Sequence, residues 1–197
     1  MQKTKISTFS VLKHFSSPDA FNAEIRVYRS NLPMCPNLLN VKAPLWINLQ
    51  KLEGIAYLNQ AEGFDPVALA KLIASFHLNF MEDELTLCHW DNSPGNILAC
   101  GERYYLIDFE ESRYEYPEHD LSHLMLFWLE AFEETVFQQK KNAFLKAYQT
   151  QIPLSEERWT EAVNSSLERF IQRRKQHKKR LSPVFKERDV VIKALSL

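Results

Sequence analysis

The sequence predicts an α+β fold in which mixed strands come first and long helices follow. Short apolar segments bounded by turn residues fill the first half of the 197-residue chain. After Pro117 the apolar residues fall at helical spacing only, and we see no internal repeat. Strands followed by helices are typical of an α+β arrangement, and 197 residues suit one domain or two small lobes around a cleft.

Turn and capping residues mark the element boundaries. Residues 16–19 contain a turn and a helix start, and Asp65 is a good N-cap before a proline at the first helical position. Ser155 caps a last long helix. Strand-like segments are expected at residues 8–14, 43–51, 85–88, 97–100 and 103–107. The last two flank Gly101-Glu102, which predicts a two-residue hairpin with glycine first.

Composition excludes several classes of protein. The net charge of −1 creates no overall field toward nucleic acid or membrane. With only four glycines in the chain, every glycine-rich phosphate loop is excluded. No apolar run is long enough for a signal peptide or a membrane span, and three widely spaced cysteines are typical of reduced thiols. We therefore expect a cytoplasmic protein.

The segment 88–110, CHWDNSPGNILACGERYYLIDFE, contains the residues best suited to chemistry. Asp91 and Asn96 lie on a loop after a strand, and the hairpin returns Asp108 beside Asn96. An amide oxygen and a carboxylate then converge, as hard Mg²⁺ prefers. Asp91, which follows His89 by two residues, remains available as a base. Two metal ligands and a proton acceptor are what phosphoryl transfer requires.

Three blocks in this region carry a family resemblance. His89-x-Asp91-x4-Asn96 resembles the catalytic loop of aminoglycoside phosphotransferases and choline kinases, and 106–110 (LIDFE) resembles their metal-binding segment. The third block, 116–121 (YPEHDL), is similar to the segment whose aspartate, here Asp120, braces the catalytic loop. The resemblance implies a protein-kinase-like fold. It makes Asp91 the base, Asn96 and Asp108 the metal ligands, and His89 a structural support.

Upstream segments extend the resemblance to a nucleotide site. Lys13 resembles the strand lysine that holds the α- and β-phosphates of ATP, and Glu24 resembles its helix partner. Residues 45–54, which include Gln50 and Leu52, are similar to the hinge that receives adenine. The implied domains are a reduced N-terminal sheet lobe with the hinge, residues 1–54, and a mainly helical C-terminal lobe, residues 55–197, which carries the catalytic and metal-binding loops.

These residues predict an ATP- and Mg²⁺-dependent phosphotransferase that acts on the hydroxyl of an amino alcohol, aminoglycoside or sugar. Ser93 and Glu110 favour small-molecule kinases over protein kinases. The chain departs from the family before Lys13, where twelve residues are too few for a full first hairpin and include no glycine. Two alternatives stay open: a small atypical protein kinase of the RIO or tRNA-modification-complex type, and a pseudokinase that only binds.

The C-terminal half offers weaker signals. Trp128 belongs to an apolar stripe that we interpret as core. Together with Glu130, Glu133 and Glu134 it could also face a cationic acceptor, and these carboxylates could equally form a solvated helix face. His119 and His123 are interpreted as a surface pair and not as metal ligands. A basic run could bind nucleic acid, although a solvated helix end is favoured. Its members are Arg173, Arg174, Lys175, Lys178, Lys179 and Arg180.

Overall fold

The computed structural model describes residues 3–42, 44–60, 63–178 and 180–197. Its combination of small antiparallel sheets with helices confirms the predicted α+β class. The chain divides into two compact units, Met1–Phe64 with His89–Arg113, and Asp65–Cys88 with Tyr114–Leu197. The sequence-based boundary after residue 54 stays a prediction. In the structure the first unit extends to Phe64. It also includes the segment with the predicted catalytic and metal-binding loops, which the predicted division places in the C-terminal lobe.

The described residues of the first unit form one α-helix of about three turns, two short 3₁₀ turns and two antiparallel sheets. Its elements are β1 (Lys3–Ile6), β2 (Ser10–His14), α1 (Pro18–Arg29), β3 (Leu38–Lys42), β4 (Trp46–Gln50), β5 (Ile55–Ala56), β7 (Ile97–Cys100) and β8 (Arg103–Leu106). One sheet has the strand order β1-β2-β4-β3, and the other has the order β5-β7-β8. Side chains of Phe15, Ile47, Tyr57, Ile97 and Phe109 are fully buried in this unit's core.

The first hairpin was not expected from the sequence. β1 pairs with β2 from Lys3↔His14 to Ile6↔Val11, so four residues are enough to form it. The prediction that too few residues precede Lys13 is therefore wrong for the hairpin itself. The turn at residues 7–9 contains no glycine. Hydrogen bonds between Ser7 and Ser10 close it. Strand pairing fixes which side chains share a face, so Lys13 and Lys5 lie on opposite faces of this sheet.

Two glycines meet conformational demands in the second sheet. Gly101 adopts a φ of +61° in the β7–β8 turn, where the predicted hairpin forms. Gly54 precedes β5 at a point of close backbone approach, because an added Cβ would lie 2.9 Å from the carbonyl oxygen of Ala99 and would collide with the Cys100 sulfur. A side chain at position 54 would therefore disturb the pairing of β5 with β7.

The second unit consists mainly of helices. Its elements are α2 (Pro66–Asn79), β6 (Thr86–Cys88), β9 (Arg113–Glu115), α3 (Glu118–Ala131), α4 (Glu134–Gln149), α5 (Glu156–Gln176) and α6 (Arg188–Leu195). The first residue of β9, Arg113, is the last residue of the first unit. Asp65 caps α2 by accepting hydrogen bonds from the amides of Val67 and Ala68, and Ser155 caps α5, as predicted. No helix in the described part of the chain is long and apolar enough to cross a bilayer.

For helix α3, one prediction is confirmed and one is wrong. Trp128 is fully buried, with its ring 5.2 Å from that of Phe144, which confirms that its apolar stripe is core and excludes Trp128 from a face for a cationic acceptor. His123 is also buried and packs against Phe127 and Phe170, so His119 and His123 do not form a surface pair. The reason is that α3 is covered on more than one side by neighbouring helices, and a helix stripe alone does not show how wide the covered face is.

Candidate active site

Asp91 and Asn96 are joined by direct hydrogen bonds within the loop between β6 and β7. The Asn96 side-chain amide donates to the Asp91 backbone carbonyl over 2.7 Å and to the Asp91 carboxylate over 3.2 Å. These bonds fix the carboxylate of Asp91 and use the nitrogen of the amide. The amide oxygen of Asn96, which is the atom able to ligate a cation, takes no part in them.

His89 ties this loop to the strand that leads to Asp108. Its Nε2 lies 2.9 Å from the carbonyl oxygen of Ile107, and its Nδ1 accepts from the Asp91 amide over 3.3 Å. Since a carbonyl can only accept, Nε2 carries the proton and His89 is neutral in this arrangement. The Ile107 amide in turn donates to the Asn96 carbonyl over 3.0 Å. Asp91, Asn96 and Asp108 are thereby brought together in the first unit.

Asp108 adopts a strained backbone conformation that is supported by Tyr28. Its φ of +70° is uncommon for any residue with a Cβ, although Asp and Asn tolerate it best. The Asp108 amide donates to the Tyr28 hydroxyl over 3.3 Å, and the Tyr28 ring packs edge-on against Phe109. Tyr28 is not among the site residues predicted from the sequence. A tyrosine on a buried face needs a partner for its hydroxyl, and that requirement was the available signal.

Lys13 lies between two carboxylates. Its ammonium donates to Glu24 of α1 and to Asp108, and the Lys13 and Glu24 side chains are buried while that of Asp108 is 37% exposed. Burial by itself would lower the pKa of Lys13, but the negative charges of Glu24 and Asp108 outweigh burial and raise it. Lys13 therefore keeps its positive charge at the edge of the site.

Three acidic side chains meet at this point. Oxygens of Glu24, Asp108 and Glu110 lie within 4.8 Å of one another. Burial raises the pKa of Glu24 to about 7 against the opposing effect of Lys13, and burial likewise raises the pKa of Glu110. One Glu24 oxygen is buried with no hydrogen-bond partner in the described structure. These three carboxyl groups have only the ammonium of Lys13 as a described positive partner, and an oxygen-rich cluster of this kind suits a divalent cation. Sequence reasoning used Glu110 only to separate kinase branches.

A cavity of about 330 Å³ adjoins these residues within the first unit. Apolar side chains form much of its wall, including Val11, Leu49 and Leu98 from the sheets and Ile107, which follows β8. The predicted nucleotide-binding residues Lys13, Glu24, Gln50 and Leu52 all line it, together with Asp108. A mostly apolar pocket with a charged end is the usual form of a site for a ligand that is part aromatic and part anionic.

Asp120 and the basic run lie in the second unit. Asp120 is buried, and its carboxylate lies 3.2 Å from His77, whose other ring nitrogen bonds to the Tyr148 hydroxyl. The bracing of the catalytic loop by Asp120 stays a prediction. In the basic run, Arg174 is ion-paired with Glu130 and lies over the ring of Phe170, so its charge is already paired within the second unit. Lys179 lies outside the described residues.

The raised pKa of Glu24 predicts a pH-dependent stability. Between pH 4.5 and 7 the folded chain keeps a proton on Glu24 that the unfolded chain has lost, so the free energy of unfolding decreases as pH rises through this window. The expected decrease is on the order of 2–3 kcal/mol. Urea unfolding of the wild type and of Glu24→Gln at pH 5 and pH 8 measures it. The wild type should lose stability relative to the variant, and an unchanged difference would contradict the assignment.

Comparison with known proteins identifies the family. The model of the phosphotransferase enzyme family (APH) matches residues 25–178. The chain belongs to this family. The match covers more than half of the chain and includes the Asp91, Asn96 and Asp108 positions, so it confirms the resemblance seen in the sequence. Among curated proteins, no sequence matches this phosphotransferase-family chain.

Solved structures share its fold at low sequence identity. A choline kinase, LicA from Streptococcus pneumoniae, superposes with a TM-score of 0.64 at 15% identity, over 97% of this chain and 88% of the kinase. The gentamicin complex of APH(2")-IIa gives 0.64 at 15% identity, over 98% and 86%. APH(3'')-Id from Streptomyces rimosus, in complex with ADP and streptomycin, gives 0.60 at 13%, over 98% and 92%. The phosphotransferase-family chain therefore has the protein-kinase-like fold.

Proposed function

We propose that this chain is a cytoplasmic ATP- and Mg²⁺-dependent phosphotransferase that acts on the hydroxyl group of a small molecule. One observation carries the proposal: Lys13 is held between Glu24 and Asp108 at the wall of a cavity that Gln50 and Leu52 also line. A cation fixed by a carboxylate at the charged end of an apolar pocket suits the phosphates of a nucleotide whose base occupies the apolar part.

The residues at the charged end divide the work of nucleotide binding. Lys13 would hold the α- and β-phosphates, and Glu24 would keep the lysine in place. The Asn96 amide oxygen and the Asp108 carboxylate would hold Mg²⁺. When bound, Mg²⁺ neutralises charge on the phosphates and favours the geometry for in-line transfer. Glu110, whose pKa is raised by burial, lies close enough to Asp108 to share in cation binding.

Asp91 would act as the base. Its carboxylate is oriented by Asn96, and its amide is oriented by the neutral ring of His89. An acceptor hydroxyl that donates to Asp91 would be positioned for attack and would lose its proton during transfer. Because both nitrogens of His89 are engaged in holding the loop, His89 supports Asp91 and does not replace it.

A screen of acceptors tests this function. Purified protein is incubated with ATP and Mg²⁺ and with amino alcohols, aminoglycosides or neutral sugars, and ADP release and phosphorylated product are measured. We expect product with at least one alcohol class, and none without Mg²⁺. Autophosphorylation with no small-molecule product would favour the atypical protein kinase. With Trp128 buried, a preference for cationic acceptors would have to come from carboxylates such as Asp91 and Glu110.

Removal of the Lys13 ammonium should weaken nucleotide binding. Lys13→Ala is expected to raise the Kd of a non-hydrolysable ATP analogue roughly 10- to 100-fold, since a hydrogen bond to a charged group contributes about 1.5–3 kcal/mol. Calorimetric titration with and without Mg²⁺ gives the Kd. Lys5→Ala is the matched control, because Lys5 lies on the adjacent strand of the same sheet and on its opposite face. Equal effects of the two substitutions would contradict the role of Lys13.

The pseudokinase alternative is favoured by one feature. The residues that precede Lys13 form a hairpin whose turn has no glycine, so close backbone coverage of phosphates by a glycine-rich loop is not provided there. We therefore expect nucleotide binding to be weak and strongly dependent on Mg²⁺. Absence of binding even at high Mg²⁺ would move the proposal to the pseudokinase, and tight binding that is indifferent to Mg²⁺ would contradict the proposed site.

A further inference from the structure

Trp90, which precedes Asp91, has a left-handed backbone conformation. Its φ is +67°, a region that a large side chain with a Cβ rarely adopts. The residue turns the chain sharply between His89 and Asp91, and the Asp91 amide thereby reaches back to the His89 ring. The direction of the Asp91 side chain depends on this turn, because Asp91 is the next residue along the chain.

The indole ring of Trp90 is stacked against Arg113. The guanidinium carbon of Arg113 lies 3.9 Å from the centre of the Trp90 ring, well inside the range of cation–π contact. Arg113 is exposed and follows Asp108 by five residues. The contact therefore joins the residue next to Asp91 to the segment that follows Asp108, and both residues lie in the first unit. Neither residue was singled out from the sequence.

We propose that Trp90 and Arg113 are positioning residues for Asp91. The stacked guanidinium of Arg113 fixes the indole of Trp90, and the fixed indole maintains the left-handed turn that orients the Asp91 carboxylate. The proposal rests on the proposed function in that Asp91 is taken as the base. Strain in a backbone persists only where the surroundings hold it. The planar guanidinium of Arg113 is suited to hold the Trp90 ring, because it can stack on an aromatic face and a lysine ammonium cannot.

The stack should affect turnover more than nucleotide binding. Without Arg113, residue 90 loses one of the contacts that restrain it, and the hydrogen bonds from the Asp91 amide to His89 and from Asn96 to the Asp91 carboxylate would weaken. We expect Arg113→Ala to lower kcat roughly 10- to 100-fold, as a small misplacement of a catalytic group does. The KM for ATP should remain unchanged, because Lys13 and Glu24 are untouched.

Conservative variants separate stacking from charge and from general packing. Arg113→Lys keeps the charge but loses the planar contact, and it should fall between the wild type and Arg113→Ala. Trp90→Phe keeps an aromatic face and should retain most of the kcat. Trp90→Gly permits a positive φ but removes the stack, and it should lower kcat as Arg113→Ala does. Arg103→Ala, at another exposed arginine of the first unit, is the control and should resemble the wild type.

Hydrogen exchange supplies a measurement that needs no turnover. The backbone amides of residues 89–93, 95 and 96 should exchange faster in Arg113→Ala than in the wild type and in Arg103→Ala. Unchanged exchange in this segment would overturn the proposal, and so would faster exchange with an unchanged kcat in an active enzyme. If the wild type transfers phosphate to no acceptor, the proposed function fails, whereas the exchange comparison still decides whether Arg113 holds the Asp91 turn.

Discussion

Replacement of Asp91 by Asn should lower kcat for phosphate transfer by about 10²- to 10⁴-fold, the usual contribution of a general base. The amide cannot accept a proton from the acceptor hydroxyl, although it has the size of the carboxylate. The loop should remain folded, because the shortest bond from the Asn96 side chain goes to the Asp91 backbone carbonyl, which the substitution keeps. The KM for ATP should change little, since the residues proposed to bind the nucleotide, Lys13 and Asp108, are kept.

Steady-state kinetics on the best acceptor from the screen measure this effect, and ATP-analogue binding checks that the site is intact. Asp19→Asn is the control, because Asp19 is an exposed aspartate in the first turn of α1 in the same unit. A kcat for Asp91→Asn close to that of the wild type would show that another group accepts the proton. His89 would then be the next residue to test.

Replacement of Asp108 by Asn should abolish most Mg²⁺-dependent transfer. We expect a loss of roughly 10³-fold in kcat, since one group that stabilises the transferring phosphate by electrostatics accounts for 10²- to 10³-fold and Asp108 is also the proposed ligand of the cation. Asparagine is chosen because it tolerates the positive φ at this position as well as aspartate does. Lys13 would keep Glu24 as its partner, so the fold around the lysine should survive.

The dependence of activity on Mg²⁺ concentration distinguishes a metal ligand from a merely structural residue. In Asp108→Asn, half-maximal activity should require more Mg²⁺ than in the wild type. Asp83→Asn is a close control, because Asp83 is exposed and also has a positive φ of 56°. Retained turnover with an unchanged Mg²⁺ requirement would remove Asp108 from the metal site.

Local sequence signals were sufficient wherever one residue dictates a conformation. Asp65 and Ser155 cap helices as predicted, since their side chains can bond amides that have no partner at a helix start. Gly101 forms the predicted turn because it adopts a positive φ. Strands β1 and β3 were not predicted, because no single residue dictates their conformation. They are the edges of their sheet and β3 is largely exposed, so no buried face imposes an alternating pattern on their residues.

The sequence by itself determined the family, the fold class and the spacing of Asp91, Asn96 and Asp108, because these depend on residue order and on short-range geometry. Tertiary structure alone decided which distant groups meet. It places Tyr28 under the Asp108 amide, Arg113 on the Trp90 ring, and both Glu24 and Asp108 on Lys13. Lys13 and Asp108 are 95 positions apart. Contacts over such separations depend on how the sheets and helix α1 pack, which periodicity and capping signals do not specify.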